Sequence, residues 1–185
     1  MRKCTHAEIA TRRLSEDNIQ QAARVPIIAA LDNVRSLYNV GSIFRTSDGC
    51  MIEKLILGGF TPYPPRKEIE KTALGSTKSI PWEYTKDLLS KLQQLKQNGY
   101  TLCCLELTDS SIPYYEIKAS SFPLCLIIGN EITGVSKEII SICDQGLEIP
   151  MYGIKQSLNV AVAYGIAVFE LSRIWRNSNQ SKERV

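Results

Sequence analysis

The run Val25-Pro26-Ile27-Ile28-Ala29-Ala30-Leu31 passes directly into Asp32-Asn33-Val34-Arg35-Ser36-Leu37-Tyr38-Asn39 and then Val40-Gly41-Ser42-Ile43-Phe44-Arg45-Thr46-Ser47-Asp48-Gly49. A short apolar run of this kind reads as a buried strand. A polar loop at the carboxyl end of such a strand, leading into a helix, is where open α/β sheets place their ligands. Further candidate strands are Lys54 to Leu57, Tyr100 to Leu107, Pro123 to Ile128 and Leu147 to Ile149, with helical patterns between most of them. Strands alternating with helices predict an α/β fold with a mostly parallel sheet flanked by helices. The clearest internal helix is Asp87 to Asn98, with Leu88, Leu89, Leu92 and Leu95 on one face and Gly99 as its stop.

The chain has 185 residues, enough for one core of ordinary size. Its 44% hydrophobic and 22% charged content excludes disordered, collagen-like and disulfide-scaffold classes. A formal net charge of +3 tolerates a polyanionic partner without demanding one. None of the six cysteines has the spacing of a zinc knuckle or a thioredoxin-like pair, and several lie in apolar runs, so they read as core thiols in a reducing compartment. No segment resembles a signal peptide or a membrane span, which predicts a cytoplasmic protein.

Residues 1–24 read as a short polar N-terminal extension, 25–176 as the folded domain, and 177–185 as a polar, frayed C-terminal tail. Residues 58–85, rich in Gly and Pro, leave room only for a short helical turn near Thr72. They carry Arg66, Lys67, Lys71 and Lys78 among Tyr63, Trp82 and Tyr84, a mixture suited either to phosphate contact and base stacking or to an ordinary solvated loop. The last helix, Leu158 to about Arg176, is apolar for much of its circumference, which points to central burial or a subunit contact.

Three segments have compositions that folding alone explains poorly. In the first, a helix beginning near Gly41 or Ser42 would put Arg45 one turn in, within reach of loop residue Asn39; alternatively Asn39 caps the helix and Arg45 pairs with Asp48. The second, Ile128-Gly129-Asn130-Glu131 through Gly134, is a Gly-flanked polar turn that lets backbone approach a ligand, or else an ordinary turn. It has neither the dinucleotide fingerprint nor a P-loop. In the third, Ile149-Pro150-Met151 to Ser157-Leu158-Asn159, Ser157 suits an N-cap and Asn159 is polar at the mouth of an apolar helix.

In this order and spacing the three segments resemble the motifs of the SpoU branch of the SPOUT superfamily, the TrmH-like RNA ribose 2′-O-methyltransferases. Asn39 to Arg45 is similar to the first motif, Ile128 to Glu131 with Gly134 to the second, and Ile149 to Met151 with Ser157 to Ala161 to the third. Weaker similarity, including Lys71 to Gly75, covers most of 25 to 175. The resemblance implies an α/β fold with a C-terminal deep trefoil knot, S-adenosylmethionine as cofactor, tRNA or rRNA as partner, and a homodimer. It implies Asn39, Arg45, Glu131, Ser157 and Asn159 as the catalytic group. The cofactor would lie against Ile128, Gly129, Asn130, Ile149, Met151, Ser157 and Leu158, and RNA against Arg45, Arg66, Lys67 and Lys71.

The chemistry fits these residue types. A 2′-hydroxyl is a poor nucleophile and needs in-line placement and stabilisation of charge developing on oxygen, with no metal required. Because a guanidinium stays protonated, Arg45 suits a donor to the 2′-oxygen or an adjacent phosphate better than a base. His6, the only histidine, lies outside every motif. Scattered cations, among them Arg2, Lys3, Arg12, Arg13, Arg173, Arg176, Lys182 and Arg184, would track phosphates across a dimer or simply be solvated. The other readings are a non-catalytic RNA-binding or assembly protein with the same fold, and methylation of a base.

Overall fold

Along the first strand, β1 (Val25–Asp32), Ile27, Ala29 and Leu31 join one hydrophobic cluster and Ile28 and Ala30 another, so both faces are covered. That is why the run shows no alternation. In the computed structural model, residues 1–11, 13–14, 16–19 and 21–180 are described, so Arg12, Lys182 and Arg184 lie outside the described residues. Two short helices, α1 (His6–Ala10) and α2 (Glu16–Ile19), precede β1. After it come α3 (Leu37–Cys50), β2 (Ile52–Gly58), α4 (Lys67–Ala73), α5 (Ser76–Ser79), β3 (Trp82–Thr85), α6 (Leu88–Gln97) and β4 (Thr101–Leu105). The remainder is β5 (Ile112–Pro113), two 3-10 turns, β6 (Leu124–Ile128), α7 (Lys137–Ile140), β7 (Gln145–Glu148) and α8 (Val160–Gln180).

The strands form one sheet of seven in the order β3-β2-β1-β6-β4-β7-β5, with every pairing parallel. The mostly parallel α/β fold follows the sequence expectation. On one face α3, α4 and α8 bury Phe44, Ile69 and Tyr164 against Leu31, Leu57 and Leu126. On the other, Leu88, Leu92 and Leu95 of α6 and Ile139 of α7 cover Ile56, Leu102, Cys104 and Ile127. Between α3 and α8 the fully buried Tyr164 hydroxyl meets Ser47 Oγ at 2.7 Å, and Ser47 Oγ lies 2.7 Å from the Ile43 carbonyl.

Three departures from the sequence pattern have physical causes. Residues 58–85 hold α4, α5 and the edge strand β3 rather than one turn; Arg66, the residue before α4, makes no side-chain cap, so the helix leaves no start signal. The helix expected near Gly41 begins four residues earlier, because Ser36 Oγ accepts from the Asn39 N–H at 3.3 Å. Gly41 is instead a close-packing residue: a Cβ there would lie 2.3 Å from the Ile69 carbonyl oxygen and 2.1 Å from Thr72 Oγ1 of α4. The last helix runs Val160–Gln180, beyond Arg176, with Ser178 Oγ donating to the Trp175 carbonyl.

Candidate active site

The carboxyl ends of β4, β6 and β7 open onto one cavity of about 330 Å³. All seven residues expected to hold the cofactor line it: Ile128, Gly129 and Asn130 after β6, Ile149 and Met151 after β7, and Ser157 and Leu158 before α8. Glu131 and Asn159 line it too, together with Leu105, Glu106 and Glu148, which the sequence reading did not single out. The volume lies within the range of small-molecule sites. Its walls alternate apolar side chains with strand-end backbone and carboxylates.

Glu131 organises the polar rim. Its carboxylate accepts the Arg35 N–H at 2.9 Å, the Ser36 N–H at 3.1 Å and the Asn39 side-chain amide at 2.9 Å, so it covers the amino end of α3. Partial burial works to raise its pKa, but the Arg35 N–H, the Asn39 amide and the further backbone donors outweigh it and hold the group below the ordinary carboxylate range. The positive end of α3 favours the same anion.

Asn39 relays this contact. Its Oδ1 accepts from Asn159 Nδ2 at 3.2 Å, while Asn159 Oδ1 accepts the N–H groups of Ala161 and Val162 at 2.9 and 3.3 Å. Asn159 is therefore the cap of α8, the role that the sequence suggested for Ser157, and Asn39 lies in the first turn of α3 with Ser36 as its cap. Glu131 thus holds Asn39, which holds Asn159. Ser157 is exposed on the cavity wall.

Arg45 stands apart. It lies two turns into α3, about 9 Å along the axis from Asn39 and about 120° around it. It is exposed and, among the described residues, makes no hydrogen bond or ion pair; Asp48, its suggested partner, accepts from Ser79 Oγ instead. One copy of the chain thus joins Glu131, Asn39 and Asn159 but leaves Arg45 outside. The side chains of Arg66, Lys67 and Lys71 are likewise exposed and unpaired at the start of α4 and along it, on the helix packed against α3. The aromatic residues among them stack mainly on each other: Tyr63 and Tyr84 have ring centroids 4.5 Å apart, and Trp82 packs edge-on to Phe44.

The two glycines of the second motif, both on the cavity wall, are also required by the packing of the fold. A Cβ on Gly129 would sit 2.1 Å from backbone atoms of Gly134 and Val135, and one on Gly134 2.2 Å from Glu106 Oε2. Asn130 closes this turn by accepting the Ile132 and Thr133 N–H groups, and its amide donates to the Asn33 carbonyl at 2.8 Å. Asp32, buried at the end of β1, accepts the Ser136 N–H at 2.8 Å and the Asn33 amide at 2.7 Å. A carboxylate ending an apolar strand was the available signal for it.

A parallel sheet with a polar cluster at its carboxyl ends, beside a cavity closed by the start of the last helix, defines an α/β ligand-binding enzyme fold. The chain belongs to the SpoU rRNA methylase family, whose sequence profile matches residues 26–169. It is 34% identical over 163 residues to the tRNA (guanosine(18)-2′-O)-methyltransferase of Aquifex aeolicus, covering 88% of this chain and 75% of that one. The crystal structure of the A. aeolicus TrmH/SpoU tRNA modifying enzyme superposes with a TM-score of 0.79 at 31% identity, over 89% of this chain and 85% of that one. The AdoMet-bound rRNA methyltransferase of Sinorhizobium meliloti gives 0.76 at 30% identity, over 84% of this chain but 59% of its own length.

Proposed function

We propose that the protein transfers a methyl group from S-adenosylmethionine to a ribose 2′-hydroxyl of tRNA or rRNA in the cytoplasm. The methyltransferase domain begins at residue 25 and includes all of α8, to Gln180, and residues 1–24 form an extension. The observation that carries this reading is the Glu131–Asn39–Asn159 chain on the rim of a cavity lined by all seven residues expected to hold the cofactor. Among the described residues no helix is long and apolar enough to cross a membrane.

The cavity suits the cofactor chemically: Leu105, Ile128, Ile149 and Leu158 provide apolar walls for a purine, and Glu106, Glu131 and Glu148 provide negative charge for its cationic part. S-adenosylmethionine supplies an electrophilic methyl group on a sulfonium. The chain's residues supply placement and charge. Asn159, on the cavity wall, is held by Asn39, which Glu131 fixes in turn, and Ser157 offers a hydroxyl there. Arg45 stabilises the oxyanion that develops at the 2′-oxygen, or holds the adjacent phosphate, while phosphate or solvent accepts the proton.

For Arg45 to act at that rim, a second copy must bring it, which makes the working unit a homodimer. The outer face of α8 supports this reading. Val162 and Phe169 there are 51% and 55% exposed. The same face runs beside the Arg45 segment of α3: a Cβ on Gly165 would contact Thr46, and one on Gly49 would contact Phe169. Arg66, Lys67 and Lys71 are free to meet RNA phosphates. The deep trefoil knot belongs to the same proposal: β6 enters the sheet between β1 and β4, and the chain after β7 returns to α8, which packs on α3, β1 and β6.

The test is incubation with methyl-labelled S-adenosylmethionine and total RNA from a strain lacking the gene, followed by nucleoside mass spectrometry. A labelled 2′-O-methyl nucleoside, absent with Arg45→Ala, is expected. A labelled base would refute ribose methylation, and cofactor binding without transfer to any RNA would favour a non-catalytic RNA-binding protein.

A further inference from the structure

Phe60 is 88% exposed, although its neighbours on both sides are anchored. The Gly59 N–H donates to the Thr85 carbonyl at 3.0 Å, and the Gly59 carbonyl accepts from the Tyr84 hydroxyl at 3.0 Å. Thr61 is 2% exposed; its hydroxyl donates to the Leu31 carbonyl and accepts the Val34 N–H, each at 3.1 Å. The Phe60 N–H itself donates to Asn33 Oδ1 at 2.9 Å. Gly59 and Asn33 both have positive φ, 61° and 56°, and a Cβ on Gly59 would lie 2.2 Å from Asn33 Oδ1. The loop is thus a rigid mount from which one ring projects into solvent. A single exposed apolar side chain is ordinary, but the backbone that carries this one is fixed on both sides and at Phe60 itself.

The mount is tied to the site. Asn33, which holds the Phe60 N–H, also accepts from Asn130 of the cavity wall and donates to Asp32. Two residues further on, the Arg35 N–H binds the Glu131 carboxylate while its side chain is exposed and, among the described residues, unpaired. Arg66 and Lys67, also unpaired among the described residues, follow Phe60 in the same connection. A planar apolar ring on a connection that also carries exposed cations matches a single-stranded nucleic acid, whose bases stack on aromatic rings while its phosphates take the positive charge.

We propose that Phe60 is a stacking platform for an unpaired nucleobase near the methylated nucleotide; this rests on the RNA methyltransferase function proposed above. Stacking needs a flat ring, so shape rather than apolarity is the variable to change. Rates of methyl transfer to total RNA from a strain lacking the gene are measured against RNA concentration for the wild type, Phe60→Leu, Phe60→Ala and Phe60→Trp. The Leu and Ala variants are expected to raise the apparent KM for RNA about tenfold, with Trp within about twofold of wild type. S-adenosylmethionine affinity by calorimetry stays unchanged in all three.

If the wild type transfers methyl and the Leu variant keeps its KM, stacking is refuted and the methyltransferase reading stands. If the Ala variant sediments as a monomer where the wild type is a dimer, the ring is a subunit contact and the proposal fails. A wild type that neither binds nor methylates RNA removes both readings together.

Discussion

The side-chain amide of Asn159 donates to Oδ1 of Asn39 over 3.2 Å, a single bond that joins the cap of α8 to the first turn of α3. Removing Asn39 therefore frees Asn159 and takes one donor from Glu131. Asn39→Ala is expected to lower kcat by about 100-fold, the scale of losing an oriented polar contact in a reaction. Asn39 is not on the cavity wall, so S-adenosylmethionine affinity by calorimetry should change little. An equal loss in both would mean that Asn39 shapes the cavity rather than the polar rim.

Glu131→Gln tests the carboxylate at the amino end of α3. Its pKa is held low by the donors around it, so its charge stabilises the fold above the ordinary carboxylate pKa, and that contribution disappears as pH falls through the lower folded value. The difference in melting temperature between wild type and Glu131→Gln should be present at pH 7 and vanish in acid. A cap of this kind contributes about 1 kcal/mol, or a few degrees in a chain of this size. A difference that persisted unchanged in acid would assign the effect to shape rather than charge.

Arg45 makes no hydrogen bond or ion pair among the described residues, so Arg45→Ala should leave the melting temperature of the chain almost unaltered while abolishing methyl transfer. Arg45→Lys should also be strongly impaired, because an ammonium lacks the forked donors. Mixing Arg45→Ala with Asn159→Ala subunits is expected to restore about a quarter of wild-type activity, since half the two-fold dimers would carry one complete site. Mixtures as inactive as either parent would place Arg45 and Asn159 of one chain in the same site.

Phe169→Glu puts a charge on the exposed apolar strip of α8. Light scattering should then show a 20.7 kDa monomer, and methyl transfer should disappear with the dimer. Full activity in a proven monomer would contradict a site shared between copies.

Gly41→Ala and Gly75→Ala make a paired stability test. At Gly41 a methyl group collides with α4 backbone, and at Gly75 it meets nothing within 4 Å but needs φ of +90°. The first should cost about 3 kcal/mol or prevent folding, and the second about 1 kcal/mol, read by denaturant midpoints.

The central strands were legible because β1, β2, β4 and β6 are apolar on both faces and stand out in composition alone. The edges were not: in β3 Trp82, Glu83 and Thr85 are only partly covered and Tyr84 is exposed, and β5 is two residues long, too little for any pattern. The start of α3 was misjudged because Gly41 and Ser42 look like loop, whereas Gly41 answers to Ile69 across a helix crossing that local sequence does not encode. At the site, the motif residues could be named but not connected. Glu131 reaches Arg35 and Ser36 from 96 and 95 positions away, and such pairings exist only after the sheet has formed.

The placement of the thiols has a practical side. Cys4 is exposed, while Cys50, Cys103, Cys104 and Cys125 are buried in α3, β4 and β6. Burial pushes the Cys50 thiol up to about 11 and Cys103 to about 12, so little of either exists as the reactive thiolate at neutral pH. A maleimide dye added to the native protein should attach first at Cys4, giving a handle on the N-terminal extension. The slower labelling of the strands then keeps time for the opening of the sheet.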